Sequence, residues 1–138
     1  MIQSFSGEYR FLSNFWPSPV EYAGKVWPTA EHAYQAAKFV DPAKREAIRS
    51  DPDPRQAKKY GKAKGIRPDW AKIRVPIMKE IVKLKFEQHP DLMEKLKATG
   101  TQEIVEGNWW GDTFWGKCNG RGENHLGKIH MEIRDNKE

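Results

Sequence analysis

Between Trp27 and Phe39 the chain reads Trp27-Pro28-Thr29-Ala30-Glu31-His32-Ala33-Tyr34-Gln35-Ala36-Ala37-Lys38-Phe39, and no other stretch leaves its backbone so little choice. Thr29 is a good N-cap, Pro28 closes off the extended segment before it, and the alanines that follow are the best helix formers available. A helix is predicted. At about 100° per residue, Glu31, Gln35 and Lys38 fall on one narrow stripe about two turns long. Ala33, Ala36, Ala37 and Val40 face the other way, Tyr34 sits on the border, and His32 and Phe39 flank the stripe. Small and apolar residues over most of the circumference predict a largely buried helix, in which an acid and a base must be paired, hydrated or functional. The same three residues also fit an exposed helix face with Gln35 as an ordinary polar residue, so the rest of the chain must decide.

At 138 residues the chain predicts one domain spanning 1–138, with its core from about 5 to 134, large enough for a single hydrophobic core. The 24 Lys and Arg against 19 Asp and Glu leave a net charge of +5, which suits an anionic partner such as a phosphorylated metabolite or nucleic acid. Six Trp, four Tyr and six Phe either fill the core or line a pocket for a flat ligand. Cys118 is the single cysteine, so no internal disulfide can form. No apolar run approaches the roughly 18 residues that cross a membrane, and no secretory h-region opens the chain. A soluble, cytoplasmic protein without membrane contact is expected.

Residues 2 to 27 alternate aromatic and polar side chains among Gly and Pro, predicting short strands and turns with a hairpin around Ala23-Gly24. Within them, Ser13 and Asn14 stand among Phe11, Leu12, Phe15 and Trp16. They fit either turn residues bonding their own backbone or, for Asn14, a hydrogen-bonder presented to a ligand from an aromatic wall. Asp41-Pro42 and Asp53-Pro54 place an N-cap before a proline and predict short helices over 42–50 and 54–61. Lys58, Lys59, Lys62, Lys64, Arg67, Lys72 and Arg74, interrupted by Gly61, Gly65 and Pro68, form either a solvated basic face or a phosphate subsite with Arg67 at its centre. A longer helix is predicted from about 76 to 88, with Lys85 snorkelling to water from its apolar arc or reaching the site. Another runs from 90 to 98 and ends at Gly100.

A short strand is predicted near 102–106. It leads into Gly107-Asn108-Trp109-Trp110-Gly111-Asp112-Thr113-Phe114-Trp115-Gly116, where glycines break any regular element and the rings call for burial. Asp112 is there either a carboxylate held among aromatic rings, with its pKa raised or set against a developing cation, or the acceptor of an Asx turn. The last helix carries an apolar stripe of Leu126, Ile129 and Ile133, with His130 as a satisfied core histidine, and the tail from Asp135 is polar and expected to fray. The overall expectation is a mainly helical α+β fold with a short N-terminal hairpin.

His32, His89, His125, His130 and Cys118 give no recognisable zinc spacing, and there is no GxSxG, P-loop or dinucleotide fingerprint. The reading requires neither metal nor cofactor. Two carboxylates in different environments suit glycosidic cleavage, one protonating the leaving group and the other supporting an oxocarbenium-like centre. A lysine desolvated by alanines and Tyr34 suits attack on a carbonyl-like carbon to form an imine.

Several motifs carry a family resemblance. Phe11-Leu12-Ser13-Asn14-Phe15, Trp27 to His32, Gln35-Ala36-Ala37-Lys38-Phe39, Lys85-Phe86, Asp112 with Trp115-Gly116, and Asn124-His125-Leu126-Gly127 resemble the NADAR superfamily, the YbiA-like N-glycosidases, in register from about Phe5 to Arg134. The resemblance implies a compact, mainly helical α+β domain. It also implies hydrolysis of phosphoribosylaminopyrimidine intermediates of riboflavin biosynthesis with release of ribose 5-phosphate. Other members of the superfamily remove ADP-ribose from guanine in nucleic acid, which makes ADP-ribosylated nucleic acid the alternative partner. A non-catalytic module binding ADP-ribose or a nucleotide is a further alternative. By the same resemblance Glu31 is the essential acid, Asp112 the second carboxylate, and Lys38 the lysine proposed in ADP-ribosyl members to hold the opened sugar as a Schiff base. Trp115 is then a ring of the pocket, with Asn14 and Asn124 as pocket hydrogen-bonders; Gln35, from the polar stripe, and Arg67, from the basic run, are the further expected substrate contacts. Lys117 follows Trp115-Gly116 where YbiA-like members carry an acid, which bears on pocket charge and substrate preference.

Overall fold

The computed structural model describes residues 1–136; positions 137 and 138, the end of the polar tail, lie outside the described residues. The fold is mainly helical with short strands, as the sequence predicts. Its contacts gather into two compact units, one contiguous (Asn14–Gln88) and one assembled from Met1–Ser13 and the segment from His89 onward.

The contiguous unit opens with a hairpin. Strands β1 (Val20–Tyr22) and β2 (Lys25–Trp27) pair antiparallel, Val20 opposite Trp27. The two turn residues, Ala23 at φ 53° and Gly24 at φ 79°, are both left-handed, as a two-residue turn matching the strand twist requires. Helix α1 (Ala30–Ala37) starts where Thr29 accepts a hydrogen bond from the His32 amide, and every residue in it is buried. It packs against α2 (Pro42–Ser50), α3 (Pro54–Tyr60) and α4 (Trp70–Gln88). The Asp41 and Asp53 side chains cap α2 and α3 ahead of their prolines, as expected.

Three expectations here are corrected. Helix α4 begins at Trp70 rather than near residue 76, and Pro76 lies inside it. Proline removes one backbone donor, yet its φ is helical, and Trp70 gains a contact in return, its ring lying 5.2 Å from that of Tyr34. Lys85 does not snorkel: on the face of Met78, Ile81, Val82 and Phe86 it is fully buried. Val40 is 68% exposed rather than buried, because the helix ends at Ala37 and Lys38 is its C-cap.

In the other unit the segment expected as strands begins instead with a 3₁₀ helix over Gly7–Leu12, which buries Phe11 and Leu12. The strand expected near 102–106 is reduced to one parallel bridge between Ile2 and Ile104. It is flanked by hydrogen bonds from the Ile2 amide to the Glu103 carbonyl (2.8 Å) and from the Val105 amide to the Ile2 carbonyl (2.8 Å). Regular pairing moves downstream, where β3 (Gly107–Asn108) lies parallel to β4 (Lys117–Cys118).

Helices α5 (Pro90–Ala98) and α6 (His125–Arg134) pack on each other. His130 of α6 is fully buried, edge-on to Phe5 at 5.2 Å. Through Asn136 the tail stays hydrogen-bonded to α6 rather than fraying. Trp109 and Trp110 also depart from expectation. They stand 86% and 51% exposed, because backbone and Asn108 hydrogen bonds hold their loop rather than ring burial. No helix among the described residues is long and apolar enough to cross a membrane.

Candidate active site

Because α1 packs against three helices, most of its polar stripe is withdrawn from water, with Lys38 half-buried at its end. Glu31 is 8% exposed and Gln35 5%. One turn apart, they meet directly, the Gln35 Nε2 donating to Glu31 Oε2 at 2.6 Å. A bond this short to a carboxylate is of the strong, charge-assisted kind and fixes the acid's rotamer. The Glu31 amide donates to the Asn14 carbonyl at 3.0 Å, so the residue preceding the hairpin is tied to the first turn of the helix.

Lys38 closes the stripe. Its Nζ donates to the Gly61 carbonyl at 3.3 Å and stands 5.8 Å from the centre of the Tyr34 ring. Burial pushes its pKa below the usual lysine value. The Glu31 charge opposes that shift, while Lys62, Arg74 and Lys58 add to it. A larger fraction of Lys38 is therefore the neutral, nucleophilic amine at a given pH.

Space for this arrangement comes from Gly61, the C-cap of α3. A Cβ there would fall 1.8 Å from Gln35 Oε1 and 3.2 Å from Lys38 Nζ. Any side chain would displace one or the other.

Two acceptors in this unit are buried without a hydrogen-bond partner: Gln35 Oε1 and Asn14 Oδ1. The Asn14 amide nitrogen meanwhile donates to the Met78 sulfur at 3.4 Å. Buried acceptors are almost always satisfied, so two orphans, one on each side of Glu31 in the hydrogen-bond chain, call for donors such as sugar hydroxyls or water.

His32 is no part of this chemistry. Its Nε2 meets the Asp51 carbonyl at 2.6 Å, which can only accept, so Nε2 carries the proton and Nδ1 accepts from the Thr29 hydroxyl at 2.8 Å. Burial lowers its pKa and keeps this neutral tautomer.

Arg67 reaches the same neighbourhood through its backbone, its amide donating to the Lys38 carbonyl at 2.8 Å. Its guanidinium is engaged by Asp69, Nε to Oδ1 at 2.7 Å and Nη2 to Oδ2 at 3.2 Å. It lines an open cleft of about 510 Å³ with Val40, Pro68 and Lys72.

The remaining expected site residues lie in the other unit. Asp112 Oδ1 accepts from the amides of Phe114 (3.1 Å) and Trp115 (2.9 Å), so it is the acceptor of an Asx turn. That turn presents Trp115, half-buried and edge-on to Phe114 at 4.8 Å. The Asn124 amide is used at both ends, Nδ2 donating to the Ile104 carbonyl (3.0 Å) and Oδ1 accepting from the Glu106 amide (2.9 Å). It braces the backbone rather than projecting a free amide.

Sequence reasoning missed Gly61 and gave Trp70 no role. Gly61 reads as one of several breakers in a basic run, and only the volume needs of Gln35 and Lys38 single it out. Trp70 backs Tyr34, the ring beside Lys38.

Similarity to known proteins extends over nearly the whole chain. The family model described as NADAR domain matches residues 3–136. N-glycosidase YbiA of Shigella boydii serotype 4 is 39% identical over 135 residues, covering 96% of this chain and 84% of that protein. Riboflavin biosynthesis protein VVA0006 of Vibrio vulnificus is 40% identical over 128 residues, 91% of this chain but 35% of that longer protein. The NMR structure of the Escherichia coli protein YbiA superposes with a TM-score of 0.86 at 36% identity, covering 99% of this chain and 86% of that one.

Proposed function

Because the chain belongs to the NADAR domain family, we propose that it is an N-glycosidase whose acid is Glu31 and whose nucleophile is Lys38, acting on a phosphoribosylaminopyrimidine of riboflavin biosynthesis. The observation that carries the reading is the buried pair of Glu31 and Gln35 at 2.6 Å on the same helix stripe as a lysine whose pKa burial has lowered. The riboflavin assignment is supported by the similarity to the riboflavin biosynthesis protein of Vibrio vulnificus. In this reading the enzyme works in the cytoplasm and releases ribose 5-phosphate.

The proposed sequence begins with the neutral Lys38 amine bonding to C1 of the sugar. The C1–N bond breaks and its electron pair leaves on nitrogen, while the Glu31 carboxylate takes a proton from the attacking lysine nitrogen and passes it to the leaving amine. As the ring C–O bond opens, the remaining lysine N–H proton passes to the ring oxygen, which becomes a hydroxyl, and C1 is left as a neutral imine to Lys38. Water then adds across the C=N bond, its proton reaching the lysine nitrogen through Glu31; the C1–N bond breaks as the new C1 hydroxyl gives its proton to that nitrogen, which frees Lys38 as the neutral amine and leaves C1 as the aldehyde of ribose 5-phosphate. Gln35 holds Glu31 at a fixed rotamer throughout. The orphan oxygens of Gln35 and Asn14 accept from sugar hydroxyls in place of the water they would otherwise require.

The test is turnover of the purified protein on the phosphoribosylaminopyrimidine and, side by side, on ADP-ribosylated guanosine, with borohydride trapping. Ribose 5-phosphate is expected from the first substrate, together with a reduced adduct on Lys38 that Lys38→Arg abolishes. Glu31→Gln is expected to lower kcat by about 100-fold or more. Full activity in folded Glu31→Gln would refute the catalytic reading. Release of ADP-ribose alone would overturn the substrate.

A further inference from the structure

Trp109 has the most exposed large apolar side chain among the described residues, with 86% of its surface in water. Its ring meets that of Trp110, itself 51% exposed, edge to face at 5.6 Å. Contiguous exposed aromatic surface is a mark of interaction sites. Beside it opens a cleft of about 630 Å³, whose lining includes Gln3, Val105, Asn108, Trp109, Lys117 and Asn119. That volume suits a small organic ligand, for which sites of about 300–1,000 Å³ are usual.

The walls are fixed rather than loose. Strands β3 and β4 pair Gly107 with Lys117 and Asn108 with Cys118, so the residue before Trp109 is laddered to the residue after Lys117. The Asn108 side chain is locked in turn, donating to the Asp112 carbonyl at 2.8 Å and accepting from the Asp112 amide at 3.0 Å. Asn119 and Gly120, at φ 53° and 76°, make a tight turn closed by the bridge between Cys118 and Arg121. An exposed indole face, a lysine cation and the side-chain amides of Gln3 and Asn119, beside the already engaged Asn108, thus line one cleft of one unit.

We propose that this cleft binds a nucleoside monophosphate unit, with the base stacked on Trp109 and the phosphate drawn to Lys117. A flat ring satisfies the exposed indole whatever its edge pattern, the chain's net charge of +5 favours an anion, and the amides can each donate to and accept from a base edge. Trp109 has no part in the N-glycosidase reading, so Trp109 variants test this cleft without altering Glu31, Gln35 or Lys38. The same chemistry is offered by a free nucleotide and by one unit of a single-stranded polynucleotide.

The experiment follows the Trp109 indole N–H resonance while AMP, adenosine or a single-stranded oligodeoxyadenylate of about eight nucleotides is titrated in. AMP is expected to shift that resonance. Trp109→Ala is expected to weaken AMP binding, followed by calorimetry, at least about fivefold, the loss of one stacked base, while Trp109→Phe retains most of it. Lys117→Ala is expected to weaken AMP but not adenosine.

If the oligonucleotide binds more tightly than AMP and its affinity falls steeply with salt, a polynucleotide is the occupant; equal affinities identify the free nucleotide. No shift of the Trp109 resonance up to about 10 mM AMP, or equal AMP affinity in wild type and Trp109→Ala, would overturn the proposal. So would disappearance of the Trp109 dependence in Glu31→Gln protein, because the ligand would then be reporting on the Glu31 cluster. Loss of turnover in Glu31→Gln with the Trp109 dependence intact leaves both proposals standing.

Discussion

A single hydrogen atom at Gly61 separates an assembled stripe from a displaced one. Its φ is −63°, which any residue adopts, so Gly61→Ala carries no backbone strain and acts only through the 1.8 Å approach of its methyl group to Gln35 Oε1. We expect Gly61→Ala to cost about 1–3 kcal/mol of stability from overpacking. It should lower kcat/KM by about 10- to 100-fold through misplacement of Gln35 and Lys38, measured by denaturant unfolding and steady-state kinetics. Lys38 allows a second test. The Glu31 charge raises its pKa against the effect of burial, so Glu31→Gln must lower that pKa further. Lysine reacts as the neutral amine, so acylation of Lys38 by a small anhydride should extend to lower pH in the variant than in wild type. An unchanged pH profile would separate the two side chains electrostatically.

Local elements test the fold's bracing. Asn124 sits at φ 56° and its amide bonds the backbone of both Ile104 and Glu106. Asn124→Ala removes one buried and one part-buried hydrogen bond and places a residue poorly suited to left-handed backbone there. We expect a loss of about 2–4 kcal/mol in urea unfolding; a change below about 0.5 kcal/mol would remove its bracing role. Elements whose cause is local were legible in the sequence: the Thr29 and Asp-Pro caps, the Ala23-Gly24 turn, and the polar stripe of α1. Elements decided at a distance were not. Pro76 looks like a helix start until the Trp70 ring is seen against Tyr34. The strand expected at 102–106 loses its ladder because Ile2 bridges at Ile104 alone. The Trp109 and Trp110 rings look like core until Asn108 is seen holding their loop. Asn124 reads as a pocket residue in a motif, and only its two backbone partners identify it as a brace.

For the molecule as a whole, burial of ionisable groups fixes how stability responds to pH. Lys85 is fully buried, and burial alone lowers its pKa from 10.5 to about 7. Below about pH 10.5 the unfolded chain binds this proton more readily than the folded one, so the residue's contribution falls as pH drops from about 10.5 to about 7 and is flat below. His32, lowered by burial too, extends the fall into the acid range below 6.5. We expect Lys85→Met to raise stability near neutral pH by about 2–4 kcal/mol, a gain that shrinks toward pH 10; thermal unfolding across that range checks both sign and window.

Chain order sets a further condition. Residues 14–88 form a unit contiguous in sequence, whereas its companion joins the first thirteen residues to those from His89 onward. During vectorial synthesis the contiguous unit can condense while later codons are still being read. The opening residues, Ile2 among them, must wait on the ribosome for Ile104 to emerge, so protease resistance of arrested nascent chains should rise in two steps, with the N-terminal segment protected last.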